Sequence, residues 1–240
     1  MLERLETRKF VPEYWGKNIK GMSAKSEVST VQKEHSVDTW YSAYRDAIKN
    51  CKNLLDNEVH KQTANRLTEP FQMVQMVITT TCLAQFFRLR DSPDAQPEIQ
   101  QLARVMHRAY YTSEFDELLP GEWHLPFVGQ AEKHQLTTIE SIKLSVARCA
   151  RVSYFLHDGK KSTIEQDLKL AERLIEAGHL SPTEHQAMCF PQNAMIGNFI
   201  GWLQYRKTLR NESSDPLKHV TMLNPYQACD RVKKHLVNLY

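Results

Sequence analysis

Between Ser162 and Gly178 the chain spells out a complete helix, and the residues just after it limit how the rest can be arranged. Ser162 and Glu165 form a capping box, each supplying the other's backbone N–H with an acceptor. Leu168, Ala171, Leu174 and Ile175 recur on one face, so the helix has to lay that stripe on a core. Gly178 stops it, since glycine takes the left-handed turn without steric cost. Ser181-Pro-Thr-Glu184 then reads as a second capping box with proline in its first turn, which predicts a new helix. His179, Ser181, Glu184 and His185 crowd this junction. Unpaired N–H groups and the positive dipole end at a helix start suit a polar or anionic ligand. Capping by itself also accounts for Ser181, Pro182 and Glu184. His179 and His185 are not an i, i+4 pair, so their spacing does not make a metal site.

The first half of the chain reads as mostly helical. Residues 1–35 are polar and mixed, with Trp15, Gly16, Asn18 and Gly21, and are expected to form an ordered arm. From Asp38, Trp40, Tyr41, Tyr44, Ala47, Ile48, Cys51, Leu54 and Leu55 keep helical spacing. A shorter helix is predicted from about Glu58 to Leu67, ending before Pro70. Phe71–Thr81, rich in β-branched residues, reads as a strand, with a buried helix as the alternative. Ser92 before Pro93 predicts the start of a helix that carries Ile99, Leu102, Ala103 and Met106 to about Tyr110. The stretch 112–138 is long and holds Pro120, Gly121, Trp123, Pro126 and Gly129; loops of that length in compact domains carry function or link subunits.

In the second half, Leu144–Tyr154 sets Arg148 and Arg151 among small apolar residues, and His157–Lys161 is a turn. Met188–Leu203 is largely apolar, and Pro225–Leu239 is an amphipathic helix.

Net charge of +3 over 240 residues excludes a strongly basic nucleic-acid binder and is compatible with a phosphate-bearing small substrate. Five single cysteines without paired spacing exclude a zinc module and read as reduced thiols, which predicts a cytoplasmic protein. No run approaches the ~20 apolar residues of a membrane span. Gly-x-Gly-x-x-Gly, P-loop and Gly-x-Ser-x-Gly patterns are absent. Two polar clusters remain. Arg66, Arg88 and Arg90 flank the pair Phe86-Phe87, and arginine suits both bidentate phosphate contact and stacking on planar rings. Gln204–Ser214, with Tyr205, Arg206, Lys207, Arg210, Asn211 and Glu212 after a buried run, has the make-up of a ligand-lining turn. Solvated surface charge is the alternative for both.

Three stretches together resemble one family, the flavin-dependent thymidylate synthases (ThyX). Ser145-Val-Ala-Arg-Cys-Ala-Arg-Val-Ser-Tyr154, the helix after it and His179-Leu-Ser-Pro-Thr-Glu-His185 are similar to the family's N-terminal part. Met195–Ser214 is similar to the segment that in the family carries Arg-His-Arg-x-x-Ser-x-Asn-Glu-x-Ser. Arg66-Leu-Thr-Glu-Pro70 and Leu83–Ile99 resemble its C-terminal part, here placed first. The resemblance therefore implies a circularly permuted, phage-type member, truncated or split at its N-terminus. It divides the chain into an arm, 1–35, and one ThyX-like domain, 36–240, in which 36–111 matches the family's C-terminal part and 144–214 its N-terminal part.

What the resemblance implies is an α+β fold with a central antiparallel sheet and flanking helices, assembled as a homotetramer. The implied activity is one-carbon transfer to C5 of a pyrimidine deoxynucleotide, dUMP to dTMP, using FAD, methylenetetrahydrofolate and NADPH. Hydroxymethylation of dUMP or dCMP, or a non-catalytic nucleotide-binding subunit, are its alternatives. The catalytic residues it implies are Arg90, Arg206 and Glu212; the flavin contacts are His179, Ser181, Glu184, Gln85, Tyr205 and Arg206; the nucleotide contacts are Arg66, Arg90, Gln204, Asn211 and Ser214. The chain departs from the signature at Gln204, Tyr205 and Leu209, where the family has Arg, His and Ser, and has Thr79, Thr81 and Gln85 where the family places flavin-binding Asn and Arg. No metal, nucleic acid or membrane is implied.

Overall fold

The computed structural model describes residues 5, 7–20, 24, 26–152, 162–190, 195–209 and 212. Its contacts gather the chain into two compact units, Met1–Val74 with Leu83–Ser113, and Gln75–Cys82 with Glu114–Tyr240. The boundary expected at residue 35 falls inside α1 (Thr30–Asp56), which starts eight residues before Asp38. Ser29 and Gln32 make a reciprocal capping box that sets this earlier start.

In the first unit α1 packs its aromatic face around Trp40. Phe10, Trp15 and Phe71 meet that ring edge-on at 5.2–6.4 Å, and its Nε1 donates to the Phe10 carbonyl at 3.0 Å. Tyr44 adds a hydroxyl bond to the Leu5 carbonyl, so the N-terminal arm is tied down by the polar tips of two half-buried rings. The helix expected over 58–67 is one α-turn, α2 (Lys61–Ala64), continuing as a 3₁₀ segment Asn65–Phe71 that includes Pro70. The helix expected from Ser92 begins later: α3 is Ala84–Arg90, and α4 (Pro97–Thr112) places Pro97, not Pro93, in its first turn. Phe87, the buried residue of α3, stacks on His107 of α4 at 4.5 Å.

Phe71–Thr81 is not a strand. Past the 3₁₀ segment, only Gln72 makes a β-bridge, an isolated one with Lys9. Met73, Val74, Met76 and Ile78 are exposed. β-branched residues favour a strand only when a pleated neighbour is there to pack on, and among the described residues none lies alongside.

The second unit holds the main core. The short α5 (Gln130–Gln135) packs on α6 (Thr138–Arg151), and α6 and α7 (Ile164–Glu176) share a core with a three-stranded antiparallel sheet ordered β1 (Trp123–His124), β2 (Ala187–Cys189), β5 (Trp202–Gln204). A second ribbon pairs β3 (Met195–Ile196) with β4 (Phe199–Ile200). Ile142, Leu144, Val146, Met188, Ile196 and Leu203, all fully buried, form the centre. The molecule is thus mixed helix and sheet, in keeping with an α+β class, with strands of two or three residues in place of a large central sheet. Residues 157–161 and the helix expected over 225–239 lie outside the described residues.

α7 is capped one residue later than expected, by Thr163 and Gln166. Both Ser162-x-x-Glu165 and Thr163-x-x-Gln166 satisfy the pattern. Ser162 is drawn off instead by the buried Asp167, to which its hydroxyl donates at 2.9 Å. No helix of the described residues is long and apolar enough to cross a membrane.

Candidate functional site

α7 ends as its sequence predicts. Gly178 takes φ +74°, His179 N–H donates to Leu174 O at 2.8 Å and Gly178 N–H to Ile175 O at 3.0 Å, the two bonds of a Schellman stop. The junction beyond it differs from expectation. Ser181–Glu184 is a single 3₁₀ turn with no side-chain cap, because strand β2 begins three residues later and leaves no room for a helix. Thr183 closes that turn from inside, buried, with its hydroxyl donating to Leu180 O at 2.6 Å. The buried Gln186 amide lies within 3.0 Å of both Ser145 Oγ on α6 and the Pro182 carbonyl, which pins the turn to the helix.

Freed from capping, the Glu184 carboxylate pairs with Arg206. Arg206 reaches it because β5 pairs with β2 in register, Ala187 opposite Gln204, and the 3₁₀ turn Tyr205–Thr208 then follows directly beside Ser181–Glu184. Gln204 donates its amide to the Glu184 carbonyl at 3.0 Å, and Tyr205 N–H donates to Gln186 O at 2.8 Å. On the far side of Arg206, Glu212 lies 3.0 Å from its Nε and accepts from Lys207 Nζ at 2.6 Å. These groups line a cavity of about 300 Å³ together with Thr79, His185, Asn198 and Phe199.

Its electrostatics are balanced. Two carboxylates, Glu184 and Glu212, face two cations, Arg206 and Lys207. Lys207 and then Arg206 hold the Glu212 carboxyl below the usual range. Burial works against the charge of Arg206, but Glu212 and Glu184 outweigh it and raise its pKa. His185 is half-buried, and burial, only partly offset by Glu184, lowers its pKa so that the neutral ring is favoured. Its Nδ1 lies 3.1 Å from Thr79 Oγ1.

Of the residues expected at a site, Glu184, Gln204, Arg206 and Glu212 are brought together here. Tyr205, expected against the flavin, is instead a core residue, 5% exposed and edge-on to Trp123 at 6.1 Å. His179 and Ser181 are exposed and do not line this cavity. Gln85, Arg66 and Arg90 belong to the other compact unit. There Arg66 pairs with Glu69 at 3.2 Å, Gln85 accepts from Arg88 at 2.9 Å, and Arg90 is exposed at the end of α3. Asn211 and Ser214 lie outside the described residues. Sequence reasoning missed Lys207, visible only as one cation of a polar run, and saw Thr79 only as a departure from a family pattern. Its side chain faces the cavity through a chain crossing that no local signal announces. No group of three or more His, Cys, Asp or Glu side chains among the described residues could hold a metal.

No family model, no curated protein and no solved structure matches this chain.

Proposed function

We propose that the chain serves flavin- and folate-dependent transfer of a one-carbon unit to C5 of a pyrimidine deoxynucleotide, the conversion of dUMP to dTMP. One observation carries the reading. The two stretches of the second unit that resemble the ThyX family, His179–His185 and Met195–Ser214, meet in one cavity through the pairing of Arg206 with Glu184 and Glu212. A chance likeness of two short motifs has no reason to converge in this way.

The cavity fits part of a flavin. About 300 Å³ is at the lower end of small-molecule pockets, enough for one ring system or a phosphate, so the rest of a dinucleotide lies beyond it. Arg206, Lys207 and the Gln204 amide offer donors to carbonyl or phosphate oxygens, and Glu184 and Glu212 hold the two cations in place. A bound flavin supplies the hydride that completes the methyl group, with NADPH as the source of electrons. The protein's own task is positioning. Arg206 and Lys207 orient an anionic or carbonyl edge and stabilise charge that develops on it, while the carboxylates fix the geometry. Because the four charges already neutralise one another, an entering anion must displace a carboxylate, which makes ligand affinity sensitive to Glu184 and Glu212. A homotetramer is part of this reading, as are Arg66 and Arg90 at the nucleotide phosphate.

Transfer with water in place of hydride, giving a hydroxymethyl nucleotide, is the second reading. It is favoured by Tyr205, which occupies the core where the family's signature has a histidine, and by Gln204 and Leu209 at two further signature positions. The test is spectroscopic, then chemical. Purified protein should carry a flavin absorbance band or acquire one from added FAD, and Arg206→Ala should lose it. Protein that remains colourless with FAD in excess refutes the reading. Mass analysis of the nucleotide formed from dUMP or dCMP with methylenetetrahydrofolate then separates methyl from hydroxymethyl transfer, and absence of either product from flavin-loaded protein points to the non-catalytic subunit.

A further inference from the structure

Substitution at C5 has a proton to dispose of, whichever one-carbon product results. The C5=C6 pair forms the bond to the incoming carbon; the C5–H bond then breaks, its electron pair restores C5=C6, and the hydrogen leaves as a proton. Some group must take it. The lining of the cavity leaves few candidates. Glu184 is paired with Arg206, and Glu212 with both Lys207 and Arg206; a neighbouring cation favours the charged carboxylate over its protonated form, and Glu212 is a weaker base than usual. Arg206 and Lys207 are already protonated cations, and Thr79, Asn198, Gln204 and Phe199 have no basic nitrogen or carboxylate. Among the described lining residues, His185 is the basic side chain with no cation paired to it.

We propose that His185 Nε2 is the acceptor of the C5 proton and that Thr79 is its positioning residue; this inference rests on the one-carbon reading of the site. Thr79 Oγ1, 3.1 Å from Nδ1, can accept from an Nδ1–H. That tautomer leaves the Nε2 lone pair free, and among the described residues Nε2 has no partner. When Nε2 takes the proton, Nδ1–H goes on donating to the same hydroxyl, so nothing around the ring has to reorganise. Burial keeps the ring neutral in the resting state, and the charged groups that face it are Glu184 beside it in sequence, then Arg206, Lys207 and Glu212 across the cavity. His124 on β1 is near enough to feel the charge of His185: burial, then Lys133 and His185, lower its pKa.

The contact with Thr79 explains a feature that the nucleotide chemistry alone does not. Gln75–Cys82 leaves the first unit, joins the second and returns, and its polar Thr79 and Thr81 both bond within the second unit, Thr81 accepting from Ile200 N–H at 3.2 Å. Thr81 anchors the segment, and Thr79 is thereby held against the imidazole.

Two measurements test the proposal. In the ligand-free protein, ¹⁵N NMR of the His185 ring should show a protonated Nδ1 and a bare Nε2, and Thr79→Val should mix the tautomers. A bare Nδ1 in the wild type overturns the proposal whatever the reaction. Second, flavin-reconstituted protein with methylenetetrahydrofolate and dUMP tritiated at C5 should release tritium. His185→Gln should lower that release about 100-fold or more, the range of a lost general base, with dUMP affinity unchanged. Thr79→Val should lower it less and move the acid limb of the pH profile downward, because the imidazolium loses an acceptor. Release by His185→Gln at the wild-type rate overturns the assignment and leaves the one-carbon reading standing. A wild type that binds flavin, folate and dUMP yet releases no tritium removes both.

Discussion

Asp167 offers the sharpest test of how the second unit is held together. Its side chain is 1% exposed and sits in the first turn of α7. Oδ1 accepts from Arg151 Nε at 2.7 Å, Oδ2 from Ser162 Oγ at 2.9 Å, and Arg148 Nε lies 3.7 Å away. One buried carboxylate thus joins α7 to two arginines of α6. Asp167→Asn keeps the shape and removes the charge. A hydrogen bond to a charged group contributes about 1.5–3 kcal/mol, and breaking a fully buried pair costs about 3–5 because a charge is stranded. Here the stranding is partial. Arg151 is 24% exposed, and Arg148 keeps a bidentate pair with Glu132 at 2.6 and 2.7 Å. The lower end applies, so the expected loss is about 3 kcal/mol. For a chain of this size that lowers the melting temperature by about 6–12 °C. Thermal melts followed by far-UV circular dichroism measure it, and repeating the change in an Arg151→Met background should show most of the loss as coupling. A loss under about 1 kcal/mol, the range of exposed pairs, would refute the argument that this carboxylate is a buried tie.

Other consequences attach to single features. Gly178→Ala should cost about 1 kcal/mol although open space surrounds the position, since the strain is in φ +74° and not in any contact; chemical denaturation against wild type reads it. The Cys149 thiol, pushed up to about 11 by burial, should resist alkylation in native protein at mildly alkaline pH while the exposed Cys82 reacts, as peptide mass mapping would show; early labelling of Cys149 contradicts its burial. Acidification should weaken the second unit in two stages. His185 has a lowered folded pKa, so its contribution is full above its unfolded value near ~6.5 and is lost as pH falls through the folded one. Glu212, also lowered, contributes above ~4.3 and is lost further down. His185→Gln should erase the upper stage alone in urea midpoints taken against pH.

How much of the fold and the site was legible in the residues differs from element to element. Helices with a periodic apolar face, such as α1 and α7, are readable because the stripe must face a core whatever else the chain does. Their starts are less so. Ser162 and Thr163 both head a capping pattern, and the choice between them was made by Asp167, a buried carboxylate whose need for a donor is invisible without the fold. Phe71–Thr81 has the composition of a strand and no neighbour to become one, which is a tertiary fact. The run 188–203 was legible only as apolar, and an antiparallel sheet only through the family resemblance; Gly197 and Gly201, both at positive φ, turn the chain after β3 and β4, which the composition of the run does not announce.

At the junction after Gly178, the same side chain could serve two masters. Ser-Pro-Thr-Glu is a capping pattern, and in a longer helix Glu184 would turn back to a backbone N–H. Strand β2 begins too soon for that helix to form, so the Glu184 carboxylate is left for Arg206, which arrives through a strand pairing between Ala187 and Gln204. The site is therefore made by the failure of the local signal, and the physical reason is competition for length between a helix and a strand. This has a testable edge. Glu184→Gln removes one of the two carboxylates on Arg206 while Gln204 still donates to the backbone carbonyl of residue 184, so the turn should persist and the cavity should gain a net positive charge. Affinity for inorganic phosphate or dUMP, measured by calorimetry, should then rise at low salt and fall back as salt screens it. If the wild type already binds as tightly as Glu184→Gln, the two carboxylates are not competing with ligand for Arg206, and the balance of the four charges is not what limits entry to the cavity.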